Sequence, residues 1–215
     1  MKTIVKCTVS FALFFLIAAG QAKADDFDVT LNTSALTGPQ ILAFGFVDGD
    51  ASVNNSVTLS NFAFSGGNAV GPADYMGTTG VSGDLGSAVM LNDSGFTALF
   101  TETFNPGASL SFLLSTTNSF AGTTPDALAM YVCDTSLNCY SDDPSTAMLQ
   151  LDLTGNPLSP SSFTLSGATD QGLPAPVVTI PGTTMTTPEP GTIFLVGSSM
   201  LLAAAGRRKR FLGFR

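Results

Sequence analysis

The sequence predicts an all-β protein, an antiparallel β-sandwich of the jelly-roll kind. Apolar and polar residues alternate with a period of two in several short segments, as in strands that bury one face. Turn signals such as Asp48-Gly49 and Gly66-Gly67 separate these segments. Apolar residues make up 44% of the chain and charged residues only 11%, so the composition supports a folded core rather than disorder.

Nine segments have the pattern expected of strands. Residues 27–31 and 149–153 alternate cleanly, whereas residues 41–47 are apolar almost throughout and predict a more deeply buried strand. Residues 57–64 change phase in the middle, which indicates a β-bulge. The other predicted strands are residues 96–104, 110–114, 128–132, 162–165 and 177–180.

The first 24 residues have the three parts of a cleaved signal peptide: a positive start, an apolar helical run and small residues before the cleavage point. These parts are Lys2 and Lys6, residues 9–19, and Ala22 with Ala24. We therefore expect the export machinery to carry the chain through the inner membrane and signal peptidase to remove residues 1–24. The sandwich domain is predicted over residues 25–171, and the Pro- and Thr-rich residues 172–187 predict a linker.

Residues 188–215 also have three parts in order: a stiff Pro-Glu-Pro, a 16-residue apolar segment that predicts a helix, and a basic cluster. The helix would be about 24 Å long, slightly short for a bilayer. The positive-inside rule places the basic cluster in the cytoplasm. The parts are Pro188, Glu189 and Pro190, residues 191–206, and Arg207, Arg208, Lys209 and Arg210.

This order of parts resembles the PEP-CTERM sorting signal of Gram-negative bacteria that produce exopolysaccharide. The resemblance implies that exosortase, a membrane transpeptidase, cuts the chain near Pro-Glu-Pro while the basic cluster acts as a stop-transfer element. It also implies that the C-terminal helix anchors the chain in the membrane only transiently. The body would then pass to the cell surface or the extracellular matrix.

Three segments of the body resemble a group of small PEP-CTERM proteins of unassigned role. They are residues 46–62, Asp84-Leu85 with residues 91–94, and residues 118–126. This second resemblance implies no particular activity.

All eight basic residues lie at the two ends of the chain, and all sixteen acidic residues lie between Asp25 and Glu189. Residues 25–206 therefore contain no Lys or Arg, and the chain has no His. Such a body repels nucleic acid and lacks His-based triads, Lys nucleophiles and Arg phosphate clamps. We therefore expect no enzymatic activity, and we expect cations or neutral polymers as partners.

Asp48 and Asp50, followed by Asn54 and Asn55, place several oxygen ligands in one predicted loop. Calcium prefers about six to eight such oxygens, so Asp48 and Asp50 are the predicted calcium ligands. The spacing differs from that of an EF-hand, and a solvated turn is the simpler alternative. Further acidic groups are Asp142-Asp143 and Asp25-Asp26 with Asp28.

Cys133 and Cys139 are the only cysteines left once residues 1–24 are removed, and they bracket five residues. In the oxidising compartment outside the inner membrane, this pair predicts a disulfide.

Carboxylate chemistry and sugar binding leave further alternatives. Asp93-Ser94-Gly95 matches a short motif of aspartic proteases, but the second half that their chemistry needs is incomplete at Asp134-Thr135-Ser136. A glycosidase needs paired carboxylates, and Glu102 is the only Glu of the body. Jelly-roll modules often bind sugars through exposed aromatic rings; the chain has no Trp, and its Tyr residues are Tyr75, Tyr131 and Tyr140.

These patterns predict a non-enzymatic protein of the cell surface or extracellular matrix, associated with exopolysaccharide and sorted by exosortase. The alternative is a calcium-assisted polysaccharide-binding module in the same location. A carboxylate glycosidase is the remote alternative.

Overall fold

The computed structural model of the chain describes residues 24–119, 124–142, 146–154 and 162–180. Within these ranges the backbone forms twelve strands and one short 3-10 helix. They are β1 (Ala24–Asn32), β2 (Gln40–Val47), β3 (Ser56–Ala63), β4 (Asn68–Asp74), β5 (Val81–Gly83), β6 (Ala88–Asn92), β7 (Thr97–Asn105), β8 (Ser109–Thr117), β9 (Asp126–Cys133), β10 (Leu149–Leu153), β11 (Ser162–Leu165), the 3-10 helix Thr169–Gln171, and β12 (Val177–Thr179).

The strands form two sheets of six strands each, which pack face to face as a β-sandwich. The order is β12-β1-β8-β3-β6-β5 in the first sheet and β11-β10-β9-β2-β7-β4 in the second. All pairings described between these strands are antiparallel. The predicted antiparallel sandwich is therefore confirmed.

Side chains along the central strands alternate between the core and the outer face. In β7 and β8 every second residue is buried over nine residues. Phe44 of β2 contacts Phe112 of β8 across the core, with the ring centroids 5.7 Å apart in an edge-to-face arrangement. Such a pair stabilises a core by about 0.5–1.5 kcal/mol beyond the burial of its area.

All nine predicted strands are present. The predicted bulge is also confirmed: Asn61 has a φ of 58°, and the pairing of β3 with β8 shifts between Ser60 and Ala63. The sequence did not predict β4, β5 and β6. β4 contains Gly71-Pro72, which a central strand would not tolerate, but β4 is an edge strand. β5 has only three residues, too few to show an alternation.

The sandwich continues beyond residue 171, where the sequence predicted its end. Leu173 is fully buried, and its backbone exchanges two hydrogen bonds with Ala168. β12 then pairs with β1. Residues 172–180, the first part of the predicted linker, therefore pack on the sandwich. The buried side chain of Leu173 and the pairing of β12 with β1 hold them there.

The predicted end segments lie outside the described residues, except for Ala24, whose backbone begins β1. This applies to Ala22 and the rest of the signal peptide, to the linker after residue 180, and to the whole of residues 188–215. Within the ranges that the structure describes, no helix has the length and apolar character of a membrane span.

Candidate metal centre

Loops from both sheets converge at one end of the sandwich. β2 ends there, because Val47 pairs with both Thr97 and Ala127, near the starts of β7 and β9. The loop of residues 48–55, which joins β2 to β3, therefore lies beside the first residue of β9, Asp126.

Asp48, Asp50 and Asp126, called the acid cluster below, meet at this end. Each offers a carboxylate oxygen, and these oxygens lie within 4.8 Å of one another. Asp126 is 1% exposed, whereas Asp48 and Asp50 are half-buried. A cation about 2.4 Å from each oxygen would bridge such a span, and this is the distance at which calcium binds oxygen.

Gly49 allows the loop to approach β9 this closely. Oδ1 of Asp126 accepts hydrogen bonds from the Gly49 N–H at 2.8 Å and the Asp50 N–H at 3.4 Å. A Cβ at Gly49 would overlap the carbonyl oxygen of Pro125. Only glycine fits between the neighbouring aspartates while the backbone lies against Pro125.

The buried side chains of Asn55 and Asp93 fix the position of the loop by hydrogen bonds. Asn55 donates from Nδ2 to Oδ2 of Asp126 at 2.7 Å and to the Ser119 carbonyl at 2.7 Å. Its Oδ1 accepts the Ser119 N–H at 2.8 Å. Oδ2 of Asp93 accepts the backbone N–H groups of Asn54 and Asn55 at 2.8 and 2.7 Å. The acid cluster is therefore preorganised by hydrogen bonds that do not depend on an ion.

Asn54 lies beside the cluster with an incomplete set of hydrogen bonds. Its Nδ2 donates to Oδ2 of Asp50 at 3.3 Å. Its Oδ1 is buried without a hydrogen-bond partner. A buried amide oxygen without a donor is costly. Since the two ends of an amide are assigned from their partners, a bound cation would favour turning the oxygen towards Asp50.

The acid cluster concentrates negative charge without a basic side chain to offset it, since the chain has no Lys, Arg or His between Lys23 and Arg207. Burial raises the pKa of the Asp126 carboxyl above its ordinary value, and the charge of Asp50 adds to this. The hydrogen bonds from Asn55 and Gly49 oppose the rise in the pKa. A divalent cation would offset the repulsion and favour the ionised form.

Two exposed apolar side chains lie in loops at the same end of the sandwich. Phe96, in the loop before β7, is 76% exposed, and its carbonyl accepts the Asp48 N–H at 3.1 Å. Val53, in the loop of residues 48–55, is 74% exposed. The sequence assigned Phe96 to a strand, but the strand begins one residue later and leaves the ring in solvent.

The predicted disulfide between Cys133 and Cys139 is present. Cys133 is the last residue of β9, so the disulfide lies at the other end of this strand from Asp126. Asp134 accepts hydrogen bonds from the side chain and backbone of Asn138 and from the Ser136 N–H, which lower the pKa of the Asp134 carboxyl. The loop is thus closed by both covalent and polar links.

In each of the other predicted acidic groups, one carboxylate accepts a hydrogen bond from a distant segment. Asp142 accepts two hydrogen bonds from Thr169, and Asp25 accepts one from Asn118. Asp143 lies outside the described residues. Asp93 holds the loop before β3, and Asp134 follows the far end of β9, so the two halves of the protease-like pattern are not brought together.

The sequence missed Asp126 as a member of the site. It is 76 residues from Asp50, and it lies at the start of a strand rather than in an acidic loop. The absence of any nearby basic residue is the one sequence signal that applies to it, but all acidic residues of the body share that signal.

Comparison with known proteins adds no assignment: no family model matches the chain, and neither the curated proteins nor the solved structures contain a match.

Proposed function

We propose that this chain is a non-enzymatic protein of the cell surface or extracellular matrix, associated with exopolysaccharide, whose sandwich binds calcium at the acid cluster. The observation that carries the calcium proposal is the convergence of three carboxylates from two distant segments within 4.8 Å. Asn54 supports it, because its side chain lies against Asp50 through Nδ2 and its Oδ1 is buried without a hydrogen-bond partner.

The sequence of the two ends supports the proposed location. The signal-peptide pattern ends at Ala24, and Pro188, Glu189 and Pro190 precede the apolar and basic parts of the tail. We propose that signal peptidase and exosortase process these ends. The delivered body would then be anionic, with no basic side chain.

The strand order supports a jelly-roll arrangement for the sandwich. β1-β8-β3-β6 of the first sheet faces β2-β7-β4 of the second. β1 to β4 alternate between the two sheets, as do β6 to β8, and the first and last of these seven strands, β1 and β8, are neighbours. β9 to β11 extend the second sheet beside β2, and β12 extends the first beside β1. This arrangement places the loops after β2, β6 and β8 at one end, which is where the acid cluster lies.

Isothermal titration of the purified chain with calcium tests the proposed site. We expect one saturable site that Asp48→Asn and Asp50→Asn each weaken at least about tenfold, because each removes a charged ligand. Asp170→Asn is the matched control, since it removes an exposed carboxylate from the 3-10 helix. No heat with calcium, or equal weakening by Asp170→Asn, would contradict the proposal.

The sorting proposal has a separate test in the producing cell. A chain with both Pro188→Ala and Pro190→Ala should remain in the membrane fraction, and its mass should include the tail. The unaltered chain should reach the surface or matrix with a mass that lacks both end segments. Identical fractions and masses for the two chains would refute the role of exosortase.

Calcium-assisted polysaccharide binding is the second candidate function. The exposed Phe96 ring favours it, because aromatic rings pack against the apolar faces of sugars. Phe96 also lies close to the acid cluster, since its carbonyl accepts a hydrogen bond from the Asp48 N–H. Phe96→Ser should reduce calcium-dependent retention of the chain on purified exopolysaccharide while leaving the calcium titration unchanged. If retention is the same in EDTA, calcium takes no part in it.

A further inference from the structure

A second site lies at an open edge of the sandwich. β4 ends the second sheet and β5 ends the first. Between β4 and the turn after β5 lies a pocket of about 500 Å³, lined by Tyr75, Asp84, Glu102 and small residues of both segments. This volume falls within the range of about 300–1,000 Å³ typical of small-molecule sites.

A bulge in β4 opens this pocket directly above Glu102. β4 pairs with β7 through Val70 and Thr103, and next through Asp74 and Thr101. Residues 71–73 of β4 therefore lie opposite the single residue Glu102 of β7. The pocket is lined by the bulged residues themselves, and Gly71 has a φ of 85°, which glycine adopts without strain. Bulges commonly occur beside binding sites because they move one strand away from its partner.

Glu102 is an unusual residue for the core-facing side of a sandwich. It alternates with Phe100 and Phe104 on the buried face of β7 and is 4% exposed. Its Oε2 accepts the Leu85 N–H at 2.8 Å. Burial raises the pKa of the Glu102 carboxyl above 4.5, to which the charge of Asp84 contributes, although the Leu85 N–H opposes the rise. The carboxyl therefore takes up a proton more readily than an exposed Glu and can then donate a hydrogen bond as well as accept one.

Tyr75 and Asp84 form the exposed part of the pocket wall. The Tyr75 hydroxyl donates to the Gly83 carbonyl at 3.0 Å, and the ring is 6.4 Å from Phe100, so its orientation is held from two sides. Tyr75 as a whole is 37% exposed. Asp84 is exposed, and its Oδ1 accepts the Ser87 hydroxyl at 3.0 Å. The pocket thus combines a fixed aromatic face with two carboxyl groups at different depths.

These groups select a neutral ligand that bears hydroxyl groups. An anionic ligand would meet two carboxyls and no basic side chain anywhere between Lys23 and Arg207. A purely apolar ligand would displace water from the Glu102 and Asp84 carboxyls and offer no hydrogen bond beyond those they accept from Leu85 and Ser87, which is costly. A sugar ring offers hydroxyls to carboxyl oxygens and an apolar face to an aromatic ring.

We infer that this pocket binds one neutral sugar unit of a carbohydrate, with hydroxyl groups directed to Glu102 and Asp84 and the ring against Tyr75. The site is separate from the acid cluster and needs no calcium. It goes beyond the proposed calcium function, and the two can fail independently.

Saturation-transfer NMR of the purified chain in EDTA tests this inference. The probes are glucose, galactose, mannose, rhamnose and N-acetylglucosamine, each also as a short oligosaccharide, with glucosamine as the cationic comparison. We expect saturation of at least one neutral sugar. Gly86→Phe should abolish the signal by filling the pocket from its exposed rim, and Tyr75→Ala should weaken binding about tenfold or more.

Ser136→Phe is the matched control, because it places the same ring in the exposed disulfide loop, away from the pocket. It should leave the sugar signal unchanged. All variants should keep the melting temperature of the parent chain within a few degrees, and Gly86→Phe should bind calcium normally. Absence of a signal from every neutral probe, saturation of glucosamine alone, or an undiminished signal in Gly86→Phe would each overturn the inference.

Discussion

The carboxylate of Asp126 accepts a hydrogen bond from the Gly49 N–H at 2.8 Å, although the residues are 77 positions apart in the chain. This bond joins the start of β9 to the loop after β2. It places the buried Asp126 between two partly exposed aspartates that precede and follow Gly49. The candidate calcium site is therefore a product of two distant segments.

Calcium should stabilise the folded chain. A ligand that binds only the folded state adds about 2.7 kcal/mol to the free energy of unfolding at 100 times its dissociation constant. Urea unfolding in EDTA and in calcium measures this difference. Asp50→Asn should lose most of it, whereas Asp170→Asn should retain it. A calcium effect of equal size in the two variants would place the ion elsewhere.

Gly49→Ala should destabilise the chain by about 1–3 kcal/mol, because the new Cβ would overlap the Pro125 carbonyl and force the two segments apart. It should also weaken calcium binding. Gly86→Ala is the control: its Cβ would meet only the Asp84 side chain at 3.3 Å. Thermal unfolding of both variants measures the difference, and equal melting temperatures would contradict the tight approach at Gly49.

Loss of the disulfide should reduce stability without affecting the acid cluster. Replacing both Cys133 and Cys139 by Ser should cost about 2 kcal/mol on the chain-entropy model for so short a loop. Urea unfolding measures the cost. Calcium titration should be unchanged, because Asp126 is the first residue of β9 and Cys133 is the last. Weaker calcium binding in this variant would mean that the two ends of β9 are coupled.

Glu102→Gln should raise the free energy of unfolding at neutral pH and reduce its dependence on pH. Burial raises the pKa of the Glu102 carboxyl in the folded chain above its ordinary value of 4.5. The folded state then binds this proton more tightly than the unfolded state, so stability is lost as the pH rises from 4.5 through the folded pKa. Gln keeps an acceptor for the Leu85 N–H but has no proton to lose.

Urea unfolding in EDTA over this pH range measures the effect of Glu102. The quantity to compare is the difference between the parent chain and Glu102→Gln, because acidification also lowers the general repulsion among the other acidic residues. A difference that does not change with pH would show that the carboxyl titrates alike in the folded and unfolded states.

Local sequence patterns were sufficient for much of the fold. The period-two alternation predicted residues 149–153 as a strand with the bounds of β10, because one face of that strand is buried and the other is not. The phase change in residues 57–64 predicted the bulge at Asn61, because the extra residue of a bulge reverses the alternation between the two faces of the strand. The spacing of Cys133 and Cys139 predicted their disulfide.

By itself, the sequence determined the alternating strands, the anionic character of the body, the short cysteine loop and the pair Asp48 and Asp50. These are local properties, which need only neighbouring residues or composition. The tertiary structure alone decided which distant residues join them. Pairing of β2 with β9 brought Asp126 to the acid cluster, and the edge position of β4 allowed the bulge that opens a pocket over Glu102. Both depend on how strands pair across the sheets, and period two does not encode the choice of partner.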